Sequence, residues 1–160
     1  MSNTILLVED EVNDVFFMKH AFMEIGLDNP MQVATDGREA INYLSGVDKY
    51  ADRERFPMPC LVLLDLKLPR VMGLEVLKWI REQPELETLI VIILSSSQLM
   101  PDIEWAYRLG ANAYLVKPST PPELRELATG IKLFWLKLNH GPPAPRESME
   151  AVAAHGVNTP

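Results

Sequence analysis

Acidic side chains stand at the ends of two apolar runs in this sequence. Glu9 and Asp10 follow the run 4–8, and Asp65 follows the run 61–64. Carboxylates brought together repel one another unless a cation neutralises them, and Mg²⁺ prefers such oxygen ligands. An aspartate beside such a cation can attack phosphorus and form an aspartyl phosphate. These acids therefore indicate Mg²⁺-assisted phosphoryl chemistry, with simple capping of the next helix by Glu9 and Asp10 as the open alternative.

A hydroxyl and an ammonium group end two further apolar runs, at Ser95 and Lys117. The hydroxyl can donate to a phosphoryl oxygen, and the ammonium supplies a compact positive charge. Ser96 and Ser97 follow Ser95 directly, so the run alone does not select the reacting hydroxyl. Pro118 predicts a fixed peptide bond after Lys117, and the sequence leaves open whether that bond is trans or cis.

Strands must deliver these side chains to one place. In a parallel sheet with helices on both faces, strands are unbroken apolar runs, and ligands bind outside their carboxyl ends. The predicted strands are 4–8, Met31–Thr35, Cys60–Asp65, Leu89–Leu94 and Ala113–Val116. Helical spacing predicts helices at Asn13–Ile25, after Asp36 as far as Gly46, and at Gly73–Gln83, Pro101–Leu109 and Pro121–Leu138. The sequence therefore predicts an α/β fold of five parallel strands and five helices.

Two segments fall outside this alternation. Residues 47–59 are polar and longer than most connections between a helix and a strand, so we predict an extended surface loop. From Gly141 the chain is rich in Pro, Ala, Ser and Gly, which predicts a disordered tail over 141–160. One domain is therefore expected over residues 1–140.

Composition excludes several classes of protein. The net charge of -7 and the lack of a Lys/Arg cluster argue against a nucleic-acid surface. No apolar run approaches the ~18 residues of a membrane span, and the first strand leaves no room for a signal peptide. The single cysteine, Cys60, excludes an internal disulfide and is expected to be a buried, inert thiol. We therefore expect a cytoplasmic protein that binds neither nucleic acid nor membrane.

The last predicted helix carries more apolar side chains than one face can hold. The stripe expected to face the core consists of Leu124, Leu127, Ala128, Ile131, Phe134 and Leu138. Leu133, Trp135 and Leu136 fall outside this stripe and predict uncovered apolar surface. We predict a homodimer through this helix and its neighbours, with Phe134, Trp135 and Leu136 as candidate contact residues. That the stripe is merely wide remains the alternative.

Four motifs resemble those of the receiver domain of bacterial two-component response regulators, over roughly Asn3–Leu138. They are VED at 8–10, LLDLKLP at 63–69, LSS at 94–96 and LVKP at 115–118. The intervals, thirty positions from Asp65 to Ser95 and twenty-two from Ser95 to Lys117, also match the family. This spacing selects Ser95 over its two neighbours as the switch hydroxyl.

The resemblance implies a flavodoxin-like, doubly wound sheet with strand order 2-1-3-4-5 and a chemical role for each site residue. Asp65 would be the phosphoacceptor for a sensor histidine kinase. Glu9, Asp10, Asp65 and the backbone carbonyl of Lys67 would hold Mg²⁺. Such a protein would signal through its phosphorylation and would not be an enzyme beyond its own phosphorylation and dephosphorylation.

The resemblance also implies a switch. Ser95 and Lys117 would contact the phosphoryl group, and Tyr114 matches the family's switch aromatic. Ser95 would move toward the phosphoryl group and draw the loop 96–100 inward, which lets Tyr114 swing in. Without the family, Tyr114 is a half-buried strand aromatic beside the fourth helix, which is compatible with that role.

Within the family, the sequence looks like the small stand-alone regulators that work with phytochrome-type photoreceptor kinases. The long loop between Tyr43 and Pro59 and the Phe134-Trp135-Leu136 ending carry this narrower likeness. Two positions depart from the family pattern. Met72-Gly73 stands where Asp-Gly is common, and Ser95 replaces the more usual Thr but keeps the hydroxyl.

Three other functions were weighed. A phosphatase of the haloacid-dehalogenase class needs a second acid two residues after the nucleophile, where this chain has Lys67. A DNA-binding regulator is disfavoured because no output domain follows the predicted receiver domain. A docking module that keeps the fold but is never phosphorylated stays open, although the full set of site residues weighs against it.

Overall fold

The structure is a computed structural model that describes residues 3–142, and its elements follow the predicted alternation. The strands are β1 (Ile5–Val8), β2 (Met31–Ala34), β3 (Leu61–Leu64), β4 (Val91–Ser95) and β5 (Ala113–Val116). The α-helices are α1 (Val12–Glu24), α2 (Gly37–Ser45), α3 (Gly73–Glu82), α4 (Met100–Arg108) and α5 (Pro121–Ile131). A 3₁₀ helix spans Asp48–Ala51 and a π-helix spans Lys132–Leu138. The predicted tail from 143 onward lies outside the described residues.

All five strands pair in parallel, in the order β2-β1-β3-β4-β5, so the predicted flavodoxin-like topology is confirmed. Side chains alternate across the sheet and build two apolar layers. Leu6, Val8, Val62 and Leu64 point to the layer that holds α2, α3 and α4. Ile5, Leu7, Leu61 and Leu63 point to the layer that holds α1 and α5. With both faces covered, the edge formed by the strand ends is where polar groups can collect.

Local signals set the ends of α2 as expected. The Asp36 side chain accepts a hydrogen bond from the Glu39 N–H at 2.7 Å, which caps the helix at its start. Gly46 follows the last turn with φ of 67°, a left-handed conformation that glycine adopts without strain. Among residues 3–142 no peptide bond is cis, so the bond between Lys117 and Pro118 is trans.

Residues 47–59 form the predicted surface loop, but the loop contains a 3₁₀ helix and packs against α2, which was not predicted. The 3₁₀ helix buries the Tyr50 ring, which packs against Tyr43 and Phe56. Arg53 donates to the carbonyls of Tyr43 and Leu44 at 2.8 Å, at the end of α2. Three aromatic rings and one guanidinium therefore anchor the loop, which composition alone did not reveal. Cys60, at the end of this loop, is half-buried instead of fully buried, and burial raises the pKa of its thiol.

Beyond Ile131 the predicted orientation of the last helix is right for Leu133, which is exposed, and wrong for Phe134, Trp135, Leu136 and Leu138. Trp135 and Leu136 pack against the layer of α1 and α5, whereas Phe134 is 54% exposed. The reason is the change from an α- to a π-helix, whose i→i+5 hydrogen bonds widen each turn. The side chains that share a face with Ile131 therefore come four and five residues later. Leu133 and Leu138 are exposed together with Phe134.

No helix within the described part of the chain is both long enough and apolar enough to cross a membrane.

Candidate functional site

The carboxyl ends of four neighbouring strands bring the predicted reactive side chains to one edge of the sheet. Val8 of β1 lies beside Leu64 of β3, so the acids that follow each strand are neighbours. In β4 and β5, Ser95 lies beside Val116, the residue before Lys117. The convergence expected from the apolar runs is therefore present.

Three carboxylates meet at this edge. Glu9, Asp10 and Asp65 each place one oxygen within 4.8 Å of the others. Glu9 is 2% exposed and Asp65 is 7% exposed, so water stabilises their charges only weakly. Backbone N–H groups orient both: Glu11 donates to Glu9 at 3.1 Å, and Lys67 donates to Asp65 at 3.3 Å. The backbone of Lys67 thus lies next to Asp65, and metal binding by its carbonyl stays a prediction.

The ammonium of Lys117 lies in the centre of the acids. Its Nζ donates to Asp65 Oδ2 at 2.9 Å, to Asp14 Oδ2 at 3.0 Å and to Glu9 Oε2. Burial alone would lower the pKa of Lys117, but the bonds to Glu9 and Asp65 more than offset this and raise it. Burial raises the pKa of Glu9, although the bond to Lys117 acts in the opposite direction. The lysine therefore stays charged at any physiological pH.

The site carries more negative than positive charge. With all groups ionised, Glu9, Asp10, Asp14 and Asp65 against Lys117 alone leave a formal charge of −3. Oxygens bound to one Mg²⁺ ion lie at most ~4.2 Å apart, because each Mg–O bond is ~2.1 Å long. The 4.8 Å spacing of the three acids is close to that limit. The donor set, spacing and charge all fit a hard divalent cation.

Asp14 is a site residue that the sequence reasoning missed. It lies in the first turn of α1, four residues after Asp10, and its carboxylate contacts Lys117, the residue that follows β5. The available signal was its helical spacing from Asp10, which places both acids at the same end of α1.

Ser95 is completely buried at the end of β4, and its neighbour Ser97 joins it to the surrounding elements. The Ser97 N–H donates to Ser95 Oγ at 3.2 Å, and the Ser97 hydroxyl donates to Asp102 in the first turn of α4. The Tyr114 hydroxyl donates to the Ser97 carbonyl at 3.0 Å. Tyr114 is half-buried as expected, and burial raises its pKa. The sequence reasoning set Ser97 aside, yet its backbone and side chain contact Ser95, α4 and β5.

Two glycines hold the loop that follows Asp65. A Cβ at Gly73 would lie 2.0 Å from the Asp65 carbonyl oxygen, and a Cβ at Gly37 would lie 2.0 Å from the Val71 carbonyl oxygen. The Gly73 N–H donates to the Leu66 carbonyl at 2.9 Å. Helices α2 and α3 can therefore pack this closely against the loop only because the first residue of each helix is a glycine. These positions were not recognised from sequence, because the need for glycine comes from distant backbone atoms.

A sequence model described as "Response regulator receiver domain" matches residues 5–129 of the chain. This protein belongs to the receiver domain family. The matched segment contains the whole sheet and every acid, hydroxyl and ammonium group of the site.

Proteins similar to this receiver domain include response regulators, one of them from a phytochrome system. Response regulator Rcp1 of Synechocystis sp. is 35% identical over 133 residues, covering 83% of this chain and 88% of Rcp1. The crystal structure of the phosphorylated cyanobacterial phytochrome response regulator RcpA superposes with a TM-score of 0.82 at 34% identity, covering 89% of this chain and 100% of RcpA. The Mn²⁺-bound form of Rcp1 superposes with a TM-score of 0.79 at 33% identity, covering 88% and 99%. The solved Rcp1 structure thus holds a divalent metal, and the acidic group of this receiver domain suits one too.

Proposed function

We propose that this receiver domain accepts a phosphoryl group on Asp65 from a sensor histidine kinase. One observation carries the proposal: the Asp65 carboxylate lies 2.9 Å from the Lys117 ammonium and has an oxygen within 4.8 Å of oxygens of Glu9 and Asp10. A carboxylate so placed is an available nucleophile, since the groups that neutralise the incoming phosphoryl charge are already beside it.

The transfer exchanges one bond to phosphorus for another. An oxygen of Asp65 attacks the phosphorus of the kinase phosphohistidine, the P–O bond forms, and the P–N bond breaks with its electron pair left on the imidazole. Lys117 moves toward the phosphoryl oxygens, whose added charge is roughly −1.5 to −2. Glu9, Asp10, Asp65 and the carbonyl of Lys67 would hold Mg²⁺. Bound Mg²⁺ supplies positive charge to the phosphoryl oxygens.

Phosphorylation is proposed to act through Ser95 and the residues bonded to it. The buried Ser95 oxygen accepts a bond from the Ser97 N–H, and its hydroxyl can donate a proton to a phosphoryl oxygen. A shift of Ser95 toward Asp65 then pulls on Ser97 and therefore on Asp102 and Tyr114. The resulting change reaches the surface formed by α4 and β5.

The kinase partner is proposed to be of the phytochrome type. Support comes from the similarity to the phytochrome response regulator RcpA, which extends over most of each chain. Phosphotransfer from purified phytochrome-type kinases, compared with other histidine kinases of the source cell, tests this assignment.

The central experiment is labelling with acetyl phosphate and Mg²⁺. Wild-type protein is expected to take up one phosphoryl group, and Asp65→Asn is expected to take up none. Asp28→Asn, an exposed acid in the loop between α1 and β2, is the matched control and should label normally. Labelling of Asp65→Asn would contradict the acceptor assignment, and a wild-type protein that never labels would favour the docking-module alternative.

We also propose a homodimer that uses the exposed apolar residues of the C-terminal segment. Leu133, Phe134 and Leu138 are each more than half exposed, and such a patch is commonly covered by a partner. Phe134→Ser is expected to shift sedimentation toward monomer, because it removes an exposed ring. A monomer at tens of micromolar in both phosphorylation states would contradict the proposal.

A further inference from the structure

Asp14 belongs to the phosphorylation site but lies outside the group of acids proposed to bind Mg²⁺. Its Oδ2 accepts a hydrogen bond from Lys117 Nζ at 3.0 Å. The side chain is 44% exposed, while that of Lys117 is 14% exposed. An acid at the rim of the site therefore bonds directly to the central ammonium.

The donors of Lys117 are all in use. An ammonium group has three N–H bonds. Glu9, Asp14 and Asp65 together take three hydrogen bonds from Nζ. A phosphoryl oxygen on Asp65 can therefore bind this ammonium with good geometry only if one of the three carboxylates gives up its bond.

The free-energy cost of breaking the hydrogen bond to Lys117 differs between the three acids. Glu9 has a side chain 2% exposed, so water cannot replace its hydrogen bond from Lys117. Asp65 carries the phosphoryl group itself and stays next to Lys117 in either state. Asp14 is the most exposed of the three, and water can replace its lost hydrogen bond. Asp14 is thus the partner that Lys117 leaves most easily.

We propose that Asp14 is a positioning residue that holds the Lys117 ammonium in the unphosphorylated protein and releases it when Asp65 is phosphorylated. Asp14 thereby competes with the phosphoryl group for Lys117 and limits how tightly that group is bound. The inference rests on the proposed function, because it assumes that a phosphoryl group is bound at Asp65.

Beryllofluoride with Mg²⁺, a non-covalent substitute for the phosphoryl group, tests this by calorimetric titration. Asp14→Asn removes the charge but keeps an acceptor, and Asp14→Ala removes both. Glu11→Gln is the matched control, since Glu11 is an exposed acid three residues away whose side chain does not cap α1. All three variants lose one negative charge near the site, so the control accounts for the general electrostatic effect.

Asp14→Asn is expected to bind beryllofluoride about three- to fivefold more tightly than Glu11→Gln, the size of a partly exposed ion pair. The affinity of Asp14→Ala for beryllofluoride should increase at least as much. Affinity for Mg²⁺ alone should change equally in Asp14→Asn and Glu11→Gln, because neither residue belongs to the metal group. A structural role for Asp14 would not separate the two affinities in this way.

Two results would overturn the inference while leaving the proposed function intact. One is equal beryllofluoride affinity in Asp14→Asn and Glu11→Gln, which would make Asp14 an ordinary surface charge. The other is weaker binding in Asp14→Asn, which would mean that Asp14 supports the bound state. Failure of the wild-type protein to bind beryllofluoride in saturating Mg²⁺ would instead overturn the proposed function itself.

Discussion

Two groups of polar side chains, one at the phosphorylation site and one beside α2, differ in how their negative charge is balanced. At the phosphorylation site, three carboxylates share the single ammonium of Lys117. Beside α2, Glu39 accepts bonds from the Thr35 N–H at 2.7 Å and from the Tyr50 hydroxyl at 2.6 Å, with Lys49 at 3.2 Å. In the first group one cation serves three carboxylates, whereas in the second one carboxylate accepts from three donors, one of them a cation.

The difference separates a reactive site from a structural one. The bonds to Glu39 outweigh the effect of burial and hold its pKa at about 2 instead of 4.5, so its ionised form is stabilised in the folded protein. At the phosphorylation site the excess of negative charge disfavours the metal-free state and favours a cation. Buried polar groups that satisfy one another stabilise the fold, whereas those that need an added ion can bind one.

Replacing Lys117, the ammonium in the centre of the phosphorylation site, should have the largest effect on stability. Lys117→Met leaves Glu9 and Asp65 buried without their counter-charge, and the free energy of unfolding in the absence of metal should fall by about 3–5 kcal/mol. Urea denaturation measures this. Saturating Mg²⁺ should restore more stability to the variant than to the wild type, because the ion replaces the missing charge.

Lys49→Met is the control for Lys117→Met, because Lys49 also pairs with an acid but is 65% exposed. Its loss of stability should be much smaller and independent of Mg²⁺. Similar losses in the two variants would remove the distinction between the two clusters.

The glycine that supports Asp65 should have the next largest effect. A Cβ at Gly73 would overlap the Asp65 carbonyl, so Gly73→Ala should cost about 3 kcal/mol and weaken Mg²⁺ binding by moving the loop. Denaturation and Mg²⁺ titration on the same sample measure both changes. Gly130→Ala is the control, since no atom lies within 4 Å of that Cβ, and it should stabilise α5 by about 0.5–1 kcal/mol. If Gly73→Ala leaves the free energy of unfolding unchanged, the close contact between Gly73 and the Asp65 carbonyl is contradicted.

Removing the charge of Glu39 tests the satisfied cluster. Glu39→Gln should cost about 2 kcal/mol at neutral pH, because a charged acceptor of several bonds becomes neutral. Because the folded pKa lies below the unfolded one, the contribution of Glu39 is fully present above about pH 4.5 and is lost as pH falls toward 2. The variant should lack this part of the acid unfolding profile, and its Mg²⁺ affinity should be unchanged. An identical profile in both proteins would contradict the pKa.

The smallest effect concerns the residue next to the switch hydroxyl. Ser97→Ala removes a buried hydroxyl that joins α4 to the phosphorylation site and should cost about 1 kcal/mol. NMR shifts of Tyr114 on beryllofluoride binding should shrink, because the loop that it contacts is less firmly held. Ser96→Ala, at the exposed neighbouring position, should change neither quantity.

Much of the architecture was predictable because it depends on short-range patterns. Unbroken apolar runs identified four of the strands that position the site, and the alternation of strands and helices forces parallel strand ends to one edge. The ends of these runs located Glu9, Asp10, Asp65 and Lys117, and the family spacing selected Ser95. The caps of α2 were equally local, because Asp36 and Gly46 act within one turn of the helix.

Contacts between residues far apart in the chain were decided only by the tertiary structure. Asp14 meets Lys117 across 103 positions because α1 packs beside the end of β5. The need for glycine at position 73 comes from the backbone of Asp65, and the inward turn of Trp135 comes from a π-helix that side-chain spacing did not indicate. Sequence patterns determine which groups reach the edge of the sheet, since they depend on neighbours along the chain. Which of these groups bond to each other depends on how helices and loops pack in three dimensions.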